Sequence, residues 1–515
     1  MPKVSPEARK KADDFLKIAP QFRLGSLPTE SQHPATLQLS SLAKDNLPEA
    51  MEIFRAVDLA AMEKILEKRA ELEKMAEAIH ATFAKGKRVF FYGCGATGRL
   101  SLSLEVIWRF VHQGSKDADR LVSFMSGGDI ALVRSIENFE DHPDFGARQV
   151  RELGFSEGDL MIATTEGGET PSVIGAVEEA ARISRAPHYV LFCNPPALLA
   201  ERLERCRRFL NNPALRTIPI LTGPMAISGS TRLQASTVLM LAAGVALFAD
   251  PKNPKKLLDL APFVDFYRKA PLASVQKYIE WEAALYLAGG YTLYETDRYG
   301  ITIFTDTTER SPTFSLVPVE NLLDQDAAPA LAYLSFPKAA DVMSAWKELL
   351  LREPIPLEWD ELAAVSNWPR LRGYDFSRNA REQRVKRLNG KRQEIFSITR
   401  EGGNMVWRSP AGETSFSVEK LHPLFEHIYL KLLLNTHSSL LMARLGRYEG
   451  NLMTWVKPSN NKLIDRSIRY VQALLEQNGE NSFSYEDICY ALFGELETLK
   501  MEEPIVLRTL KALQG

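Results

Sequence analysis

Short apolar runs that alternate with helix-forming stretches limit the fold of this chain more than any other feature. The runs occupy residues 88–92, 121–125, 160–163, 189–193 and 218–221. Stretches of helical character separate most of them, at residues 130–136, 171–183 and 231–248. Strands and helices in alternation favour a parallel sheet with helices on both faces. We therefore predict a doubly wound α/β domain over residues 46–250.

A second and weaker pattern of the same kind follows a helical connector at residues 251–285. Its predicted strands lie at 291–294, 301–304 and 331–336, followed by a hairpin at 394–399 and 404–409 across Gly402 and Gly403. The chain has helical character after residue 422. A length of 515 residues suits two or three domains. We predict an extended arm at 1–45, a first domain at 46–250, a diverged second domain at 251–445 and a helical cap at 446–515.

Composition argues against several kinds of partner and cofactor. There are 63 basic and 65 acidic residues, so the charge balance gives no reason to expect nucleic acid or an anionic membrane as partner. The longest apolar stretch, residues 238–249, is too short to span a bilayer, and the N-terminus lacks the apolar core of a signal peptide. The four cysteines form no CxxC pair and the eight histidines show no ligand spacing. We expect a cytoplasmic protein without metal or cofactor.

A glycine-rich segment, GCGATG at residues 93–98, follows the first predicted strand and begins a helix. Glycines let the backbone approach a ligand closely, and a helix N-terminus favours an anion. Dinucleotide-binding folds use the similar pattern GxGxxG, but they place an acidic residue after the next strand. Here Ser126-Gly127-Gly128 follows that strand. Phosphate binding by Gly95, Ala96, Thr97 and Gly98 is therefore favoured over dinucleotide binding.

Two more loops rich in hydroxyl groups lie between a predicted strand and a helix. One is TTEGGETP at residues 164–171, and the other is SGSTR at residues 228–232. Any single loop of this kind is as well explained by a tight turn with a helix N-cap. Three of them at strand ends in one sheet would converge where open α/β sheets bind ligands. The predicted substrate-binding residues in these two loops are Thr165, Glu166, Gly168, Thr170, Ser228, Ser230 and Thr231, of which Thr165, Thr170, Ser230 and Thr231 would hold the phosphate.

These segments resemble the SIS (sugar isomerase) domain family, in the branch of N-acetylmuramic acid 6-phosphate etherase and glucokinase regulatory protein. The resemblance also covers TESQHP at 29–34, SGG at 126–128, ENFED at 137–141, GNLM at 450–453 and SNNKL at 459–463. It implies two tandem SIS-like domains with a helical cap, as in glucokinase regulatory protein. The loop of the second domain, residues 295–300, has one glycine. That domain is expected to be degenerate as a phosphate site.

The resemblance leaves enzyme and sensor open. Etherase chemistry needs a base and an acid, and Glu140 falls on one of the two family carboxylate positions. The other position is Ile107 here, and Glu105 lies two residues away, about 200° around the helix. Glu166 is a possible substitute. We therefore expect a sugar-phosphate sensor in which Glu140 binds sugar hydroxyls.

The alternatives to the sensor are a lyase or isomerase of a 6-phosphosugar with Glu140 as base, and a scaffold that has lost its ligand. The hydroxyls and glycines kept in all three loops disfavour the scaffold. The resemblance further implies that a cap lysine, Lys431, reaches the phosphate. It also implies that a sensor acts on a sugar kinase or another protein partner.

Overall fold

The computed structural model describes residues 4–22, 24–136, 139–324, 327–480, 482–500 and 503–515. The N-terminal arm contains helices α1 (Pro6–Ile18) and α2 (Leu39–Asp45), with 3-10 turns at Ala19–Gln21, Pro28–Glu30 and Pro34–Thr36. Ser5 accepts a hydrogen bond from the amide of Ala8, and buried Ala8, Ala12 and Phe15 recur at helical spacing. The prediction that this arm is extended was wrong, since these residues form an amphipathic helix.

The first α/β unit contains the predicted doubly wound sheet. Its elements are α3 (Leu47–Leu66), α4 (Arg69–Ala84), β1 (Val89–Gly93), α5 (Ala96–Val111), β2 (Leu121–Met125), α6 (Pro143–Glu152), β3 (Leu160–Thr164), α7 (Pro171–Ile183), β4 (His188–Phe192), α8 (Pro196–Arg202), α9 (Glu204–Leu210), β5 (Leu215–Pro219) and α10 (Gln234–Leu247). The strands are parallel, in the order β2-β1-β3-β4-β5, with Val89 opposite both Leu121 and Leu160. The winding direction reverses between β1 and β3, which is where such sheets bind ligands.

Residues 130–136 do not form the predicted helix. Asp129–Leu132 is a 3-10 turn, entered through Gly127 and Gly128 with φ of +94° and +72°. Further 3-10 turns lie at Lys116–Arg120 and Phe139–Asp141. Two consecutive glycines with positive φ turn the chain sharply after β2, and the short 3-10 turn that follows is not continued as an α-helix. The segment therefore crosses the carboxyl edge of the sheet as a turn and brings residue 140 to that edge.

The second α/β unit contains α11 (Ala261–Arg268), α12 (Gln276–Leu287), β6 (Tyr291–Glu295), α13 (Gly300–Phe314), β7 (Ala332–Ser335), α14 (Val342–Leu350), α15 (Trp368–Arg372), α16 (Arg378–Leu388), β8 (Gln393–Glu401), β9 (Asn404–Ser409) and β10 (Gly412–Ser417). Strands β7, β6 and β8 are parallel, and β8, β9 and β10 are antiparallel. The predicted hairpin is confirmed and gains a third strand. The predicted strand at 301–304 was wrong, because those residues lie in the buried helix α13.

The C-terminal region is helical, as predicted, with α17 (Pro423–Arg444), α18 (Asn461–Gln477), α19 (Tyr485–Leu496) and α20 (Ile505–Gln514). Helix α17 is buried from Leu424 to Ala443 and packs on α10 of the first unit and on α12 and α13 of the second. Helix α1 packs on α19, so the arm meets the C-terminal helices. Short 3-10 turns at Leu272–Val275 and Asp360–Leu362 complete the connections. One continuous apolar core thus joins both units.

Candidate functional site

The first loop, residues 93–98, places the N-terminus of α5 at the carboxyl edge of the sheet. Gly95 has φ +55° and ψ −125°, a conformation open to glycine, and a Cβ on Gly93 would lie 2.5 Å from the carbonyl oxygen of Thr97. The hydroxyl of Thr97 accepts from the amide of Cys94 (3.1 Å) and donates to its carbonyl (2.9 Å). No side chain of the described residues caps α5. The amide of Thr97 donates to the carbonyl of Cys94 (3.1 Å), so an anion would meet the positive end of the helix and the remaining amides of its first turn.

The second loop, residues 164–170, runs from β3 into α7. The hydroxyls of Thr165 and Thr170 are 3.0 Å apart, and Gly168 has φ +77° where a Cβ would press on Leu199 and Phe192. Glu166 is 3% exposed, and its Oε1 has no hydrogen-bond partner among the described residues. A buried carboxylate oxygen without a partner is costly. This loop thus presents two hydroxyls and one unsatisfied carboxylate oxygen.

The third loop, residues 228–232, precedes α10. Ser228 donates to the carbonyl of Glu30 (2.8 Å), and Thr231 donates to Glu166 Oε2 (2.9 Å), which ties this loop to the second one. Ser230 is 3% exposed, and its hydroxyl has no partner in the part of the chain that the structure describes. Buried hydroxyls are normally hydrogen-bonded. Ser230 is therefore the third-loop side chain best placed for a ligand.

The N-terminal arm and helix α18 are joined by ion pairs beside these loops. Glu30 is 3% exposed and accepts from Arg466 (2.5 and 3.0 Å) and from Arg469 (2.9 Å). Burial alone would raise the pKa of Glu30, but Arg466, Arg469 and Lys462 outweigh it and lower that pKa. Asn194 also bonds the arm, donating to the hydroxyl of Thr29 (2.9 Å). Sequence segments far apart in the chain therefore fix the arm and the cap to one another.

Helix α18 also brings Lys462 to the loops. Its ammonium lies 3.4 Å from Glu169, 3.8 Å from Glu166 and 3.9 Å from Glu30. Burial disfavours the charged form, yet the three carboxylates outweigh it and raise the pKa of Lys462. Lys462 was not among the predicted site residues, although it lies in the segment SNNKL that supports the resemblance. Proximity to the loops is a tertiary property that one sequence does not show.

Glu140 lies between the first loop and the start of α18. The thiol of Cys94 donates to its Oε2 (3.4 Å), and the side-chain amide of Asn460 donates to its Oε1 (2.6 Å). Burial raises the pKa of Glu140; Lys462 opposes the rise, and Asp141 and Glu169 add to it. Burial together with Glu140 raises the pKa of the Cys94 thiol well above its ordinary value. A raised pKa favours the protonated thiol, which suits the role of Cys94 as a hydrogen-bond donor to Glu140.

These residues line one cleft at the carboxyl edge of the first sheet. Its walls include, from the predicted set, Gly95, Ala96, Thr97, Glu140, Thr165, Glu166, Thr170, Ser230 and Thr231, together with Lys462 and Arg466. Gly98, Gly168 and Ser228 lie behind the walls, in backbone or packing contacts. The cleft continues past Glu140 into a second compartment bordered by Ser135, Ser311 and Asn460.

Comparison with known proteins identifies the family. Residues 71–181 match the model of the glucokinase regulatory protein N-terminal SIS domain. An N-acetylmuramic acid 6-phosphate etherase from Crocosphaera subtropica is 32% identical over 225 residues, which are 43% of this chain and 67% of the relative. The chain belongs to the SIS domain family, in the branch of that etherase and of glucokinase regulatory protein. Its function is related to phosphosugars.

Another curated relative agrees with the SIS assignment, and one solved structure is also similar to this chain. An N-acetylmuramic acid 6-phosphate etherase from Aeromonas hydrophila is 27% identical over 220 residues, covering 42% of this chain and 67% of the relative. A tagatose-6-phosphate ketose/aldose isomerase from Escherichia coli, known by its crystal structure, is 14% identical with a TM-score of 0.42, over 83% of this chain and 99% of that one. A TM-score this low carries no argument about function. The curated relatives therefore favour the etherase-like alternative over sensing.

One position implied by the SIS resemblance lies elsewhere. The structure does not bring Lys431 to the cleft. Its ammonium is buried under the third loop, where it donates to the carbonyl of Arg232 (2.9 Å) and the hydroxyl of Thr237 (2.7 Å). Burial lowers the pKa of Lys431, and Asp58 opposes this. The reason is that α17 is an interior helix, so its lysine supports the loop from behind while Lys462 faces the cleft.

The second family carboxylate position also departs from the SIS etherase pattern. Ile107 is fully buried in α5. Glu105 is buried against β2, where it pairs with Arg109 (2.9 Å) and Arg352 (3.2 Å). Arg352 begins a segment of the second unit, residues 352–362, that we call the strap. Glu137 and Asn138, part of the ENFED segment, lie outside the described residues.

The strap packs over the segment that carries Glu140. Arg352 pairs with Asp129 (2.6 Å), whose amide donates to the carbonyl of Ile355 (3.1 Å). Trp359 stacks on Phe139, with ring centroids 5.7 Å apart. The second unit therefore helps to position Glu140, although its own loop at 295–300 is occupied by internal bonds such as that of Tyr299 to Glu426 (2.5 Å).

The described residues show no arrangement of three or more His, Cys, Asp and Glu side chains that would hold a metal ion. Within those same ranges, no helix combines the length and apolar character needed to cross a lipid bilayer.

Proposed function

We propose that this chain is a lyase of the N-acetylmuramic acid 6-phosphate etherase type. The observation that carries the proposal is the position of Glu140, a carboxylate with a raised pKa, in the same cleft as the three loops at residues 93–98, 164–170 and 228–232. A carboxyl group that titrates closer to neutrality is suited to general acid–base work. The etherases among the curated relatives support the proposal.

The phosphate of the substrate would be bound by the three loops. The amides at the start of α5 and the hydroxyls of Thr165 and Ser230 supply donors, and Lys462 supplies a positive charge. Helix N-termini and hydroxyl donors are the usual protein partners of phosphate oxygens. This arrangement leaves the sugar ring and its ether substituent to extend toward Glu140.

The reaction would be an elimination in which Glu140 serves as base. Glu140 takes a proton from the carbon next to the one that bears the ether oxygen. The C–H electron pair forms a carbon–carbon double bond, the C–O bond breaks, and the departing oxygen receives a proton from an acid. Glu166, whose Oε1 has no hydrogen-bond partner among the described residues, is the second carboxylate of the cleft and the candidate for that acid, and it would enter this step in its protonated form. Water then adds to the double bond.

Sensing a phosphosugar is the second candidate. It is favoured by the match of residues 71–181 to the glucokinase regulatory protein domain, and by the use of Glu105 in an ion pair with Arg352. A sensor would use Glu140 to accept hydrogen bonds from sugar hydroxyls. A sugar kinase or another protein as partner remains a prediction of this second candidate, and a cytoplasmic location remains a prediction for the chain under either candidate.

Product analysis separates the two candidates. The full chain is incubated with N-acetylmuramic acid 6-phosphate, and lactate is measured alongside binding by calorimetry. A lyase releases lactate at a rate that Glu140→Gln lowers by at least about a thousandfold while the variant still binds. Binding without lactate release would establish the sensor and remove the lyase. The absence of both binding and lactate release would contradict the proposal that the cleft binds a phosphosugar.

A further inference from the structure

Asn460 makes two hydrogen bonds at once, one within helix α18 and one to Glu140. Its Oδ1 accepts from the amide of Leu463 (2.9 Å), which makes it the N-cap of the helix. Because the oxygen is used in the cap, the side-chain nitrogen must face the other way, and it donates to Glu140 Oε1 (2.6 Å). The orientation of the Asn460 amide is therefore fixed by the helix that it caps.

The same helix supplies the positive groups of the cleft. Lys462 lies two residues after Asn460, and Arg466 follows one turn later on the face that pairs with Glu30. The start of α18 thus contacts the carboxylate expected to do the chemistry and carries the lysine expected to bind phosphate. If the start of α18 moved, the Asn460 amide that donates to Glu140 and the charge of Lys462 would leave the cleft together.

We propose that Asn460 is a positioning residue that links the seating of the cap helix α18 to the orientation and charge state of Glu140. The inference rests on the proposed function, because it concerns the same carboxylate. A donor aimed at one carboxylate oxygen fixes the rotamer of Glu140 and favours its ionised form. A base must be ionised to accept a proton, so Asn460 would keep Glu140 competent when the cap is closed over the cleft.

The charged and titratable groups around Glu140 define what the loss of Asn460 would do. Asp141 from its own segment and Glu169 from the second loop disfavour its ionised form. Lys462 from α18 and the thiol of Cys94 from the first loop favour it. Removing the Asn460 donor leaves the disfavouring groups in place. The pKa of Glu140 must then rise, and the acid limb of the pH profile must move to higher pH.

The test uses two substitutions that keep the helix cap. Asn460→Ser and Asn460→Asp both retain an N-cap oxygen for Leu463, but neither offers the amide donor. The control is Asn46→Ser, because Asn46 is also an N-cap asparagine whose amide donates to a glutamate, Glu49 (2.8 Å), on the exposed start of α3. Thermal melts of all three variants verify that the chain stays folded.

The pH dependence of kcat/KM for lactate release from N-acetylmuramic acid 6-phosphate is measured for each variant. We expect the acid limb to move up by about one pH unit in Asn460→Ser and further in Asn460→Asp, with about a tenfold loss of kcat/KM on that limb. Asn46→Ser should match the wild type. If the wild type releases no lactate, the lyase is refuted, and the midpoint of the pH dependence of binding of the same compound replaces kcat/KM. The inference would be overturned if the pH profiles of the two Asn460 variants superimposed on the wild-type profile, measured as kcat/KM or, where no lactate is released, as binding.

Discussion

The carboxylate of Glu105 lies 3.2 Å from Nε of Arg352, and both side chains are nearly buried at the junction of the two α/β units. A glutamate on the helix that follows the phosphate loop is thus committed to holding the strap, and it is turned away from the cleft. This ion pair explains in structural terms why the chemistry proposed for the cleft depends on Glu140. It also gives the second unit a role that does not require a ligand of its own.

Glu105→Gln should therefore reduce the stability of the fold and have little effect on the chemical step. Breaking a buried pair leaves the charge of Arg352 poorly compensated, although Asp129 still contacts it, so we expect a loss of about 3 kcal/mol in the free energy of unfolding. Urea denaturation measures this loss. Lactate release by the folded variant should fall much less than in Glu140→Gln. Equal losses of activity in Glu105→Gln and Glu140→Gln would show instead that Glu105 takes part in the reaction.

Ser230→Ala should weaken phosphosugar binding and leave the free protein as stable as before or slightly more so. The hydroxyl of Ser230 is buried without a partner among the described residues, so its removal relieves an unsatisfied group while taking a donor from the ligand. We expect affinity for N-acetylmuramic acid 6-phosphate to fall about tenfold in calorimetry. Ser228→Ala is the matched control, because Ser228 donates to the carbonyl of Glu30. It should lose about 1 kcal/mol of stability instead.

Lys462→Met should reduce affinity more than Ser230→Ala does, by about a hundredfold, because a charge-assisted bond to phosphate is lost. The effect should weaken at high salt, which calorimetry at two ionic strengths would detect. Lys255→Met is the control, since Lys255 is an exposed lysine paired with Glu77 at 3.6 Å. A Lys462 variant that binds as tightly as the Lys255 variant would show that the phosphate lies elsewhere.

Glu30 should make the stability of the chain depend on acid pH. Its pKa is lowered in the folded protein despite burial, because Arg466, Arg469 and Lys462 surround it. A lowered pKa means that the stabilisation is complete above the ordinary carboxyl pKa of 4.5 and is lost as the pH falls below that value.

Glu30→Gln should thus destabilise the protein by about 3 kcal/mol at pH 7 and make the decline between about pH 5 and pH 3 shallower. Chemical denaturation across that range is the measurement. Glu63→Gln, which affects an exposed pair with Arg268 (3.2 Å), is the control. It should change the free energy of unfolding by no more than about 0.5 kcal/mol, both at pH 7 and across the acid range. Parallel pH curves for the wild type and Glu30→Gln would contradict the assigned ion pairs.

Much of the fold could be predicted because each signal is local. The apolar runs that became β1, β3 and β4 are buried on both faces, and the glycines at 93, 95 and 98 are required by the backbone of the loop itself. The hairpin of β8 and β9 followed from its glycines in the same way. Local chemistry therefore indicated both the sheet and the three loops at its edge.

The errors came where tertiary contacts decide the structure. Residues 301–304 (ITIF) are rich in β-branched and aromatic side chains, and such a run does not distinguish a buried strand from a helix buried on all sides like α13. Lys431 was predicted at the phosphate, and Lys462 was not considered, for a related reason. Both lysines lie on C-terminal helices, and only the packing of α17 between the units shows that its lysine faces the interior.

The most direct test is a crystal structure of the Glu140→Gln variant with N-acetylmuramic acid 6-phosphate bound. We expect the phosphate within hydrogen-bond distance of the Ser230 hydroxyl, the Lys462 ammonium and the first amides of α5, with the ether substituent beside residue 140. A phosphate ordered at residues 295–300, beside Lys431, or anywhere outside the three loops would contradict the central claim.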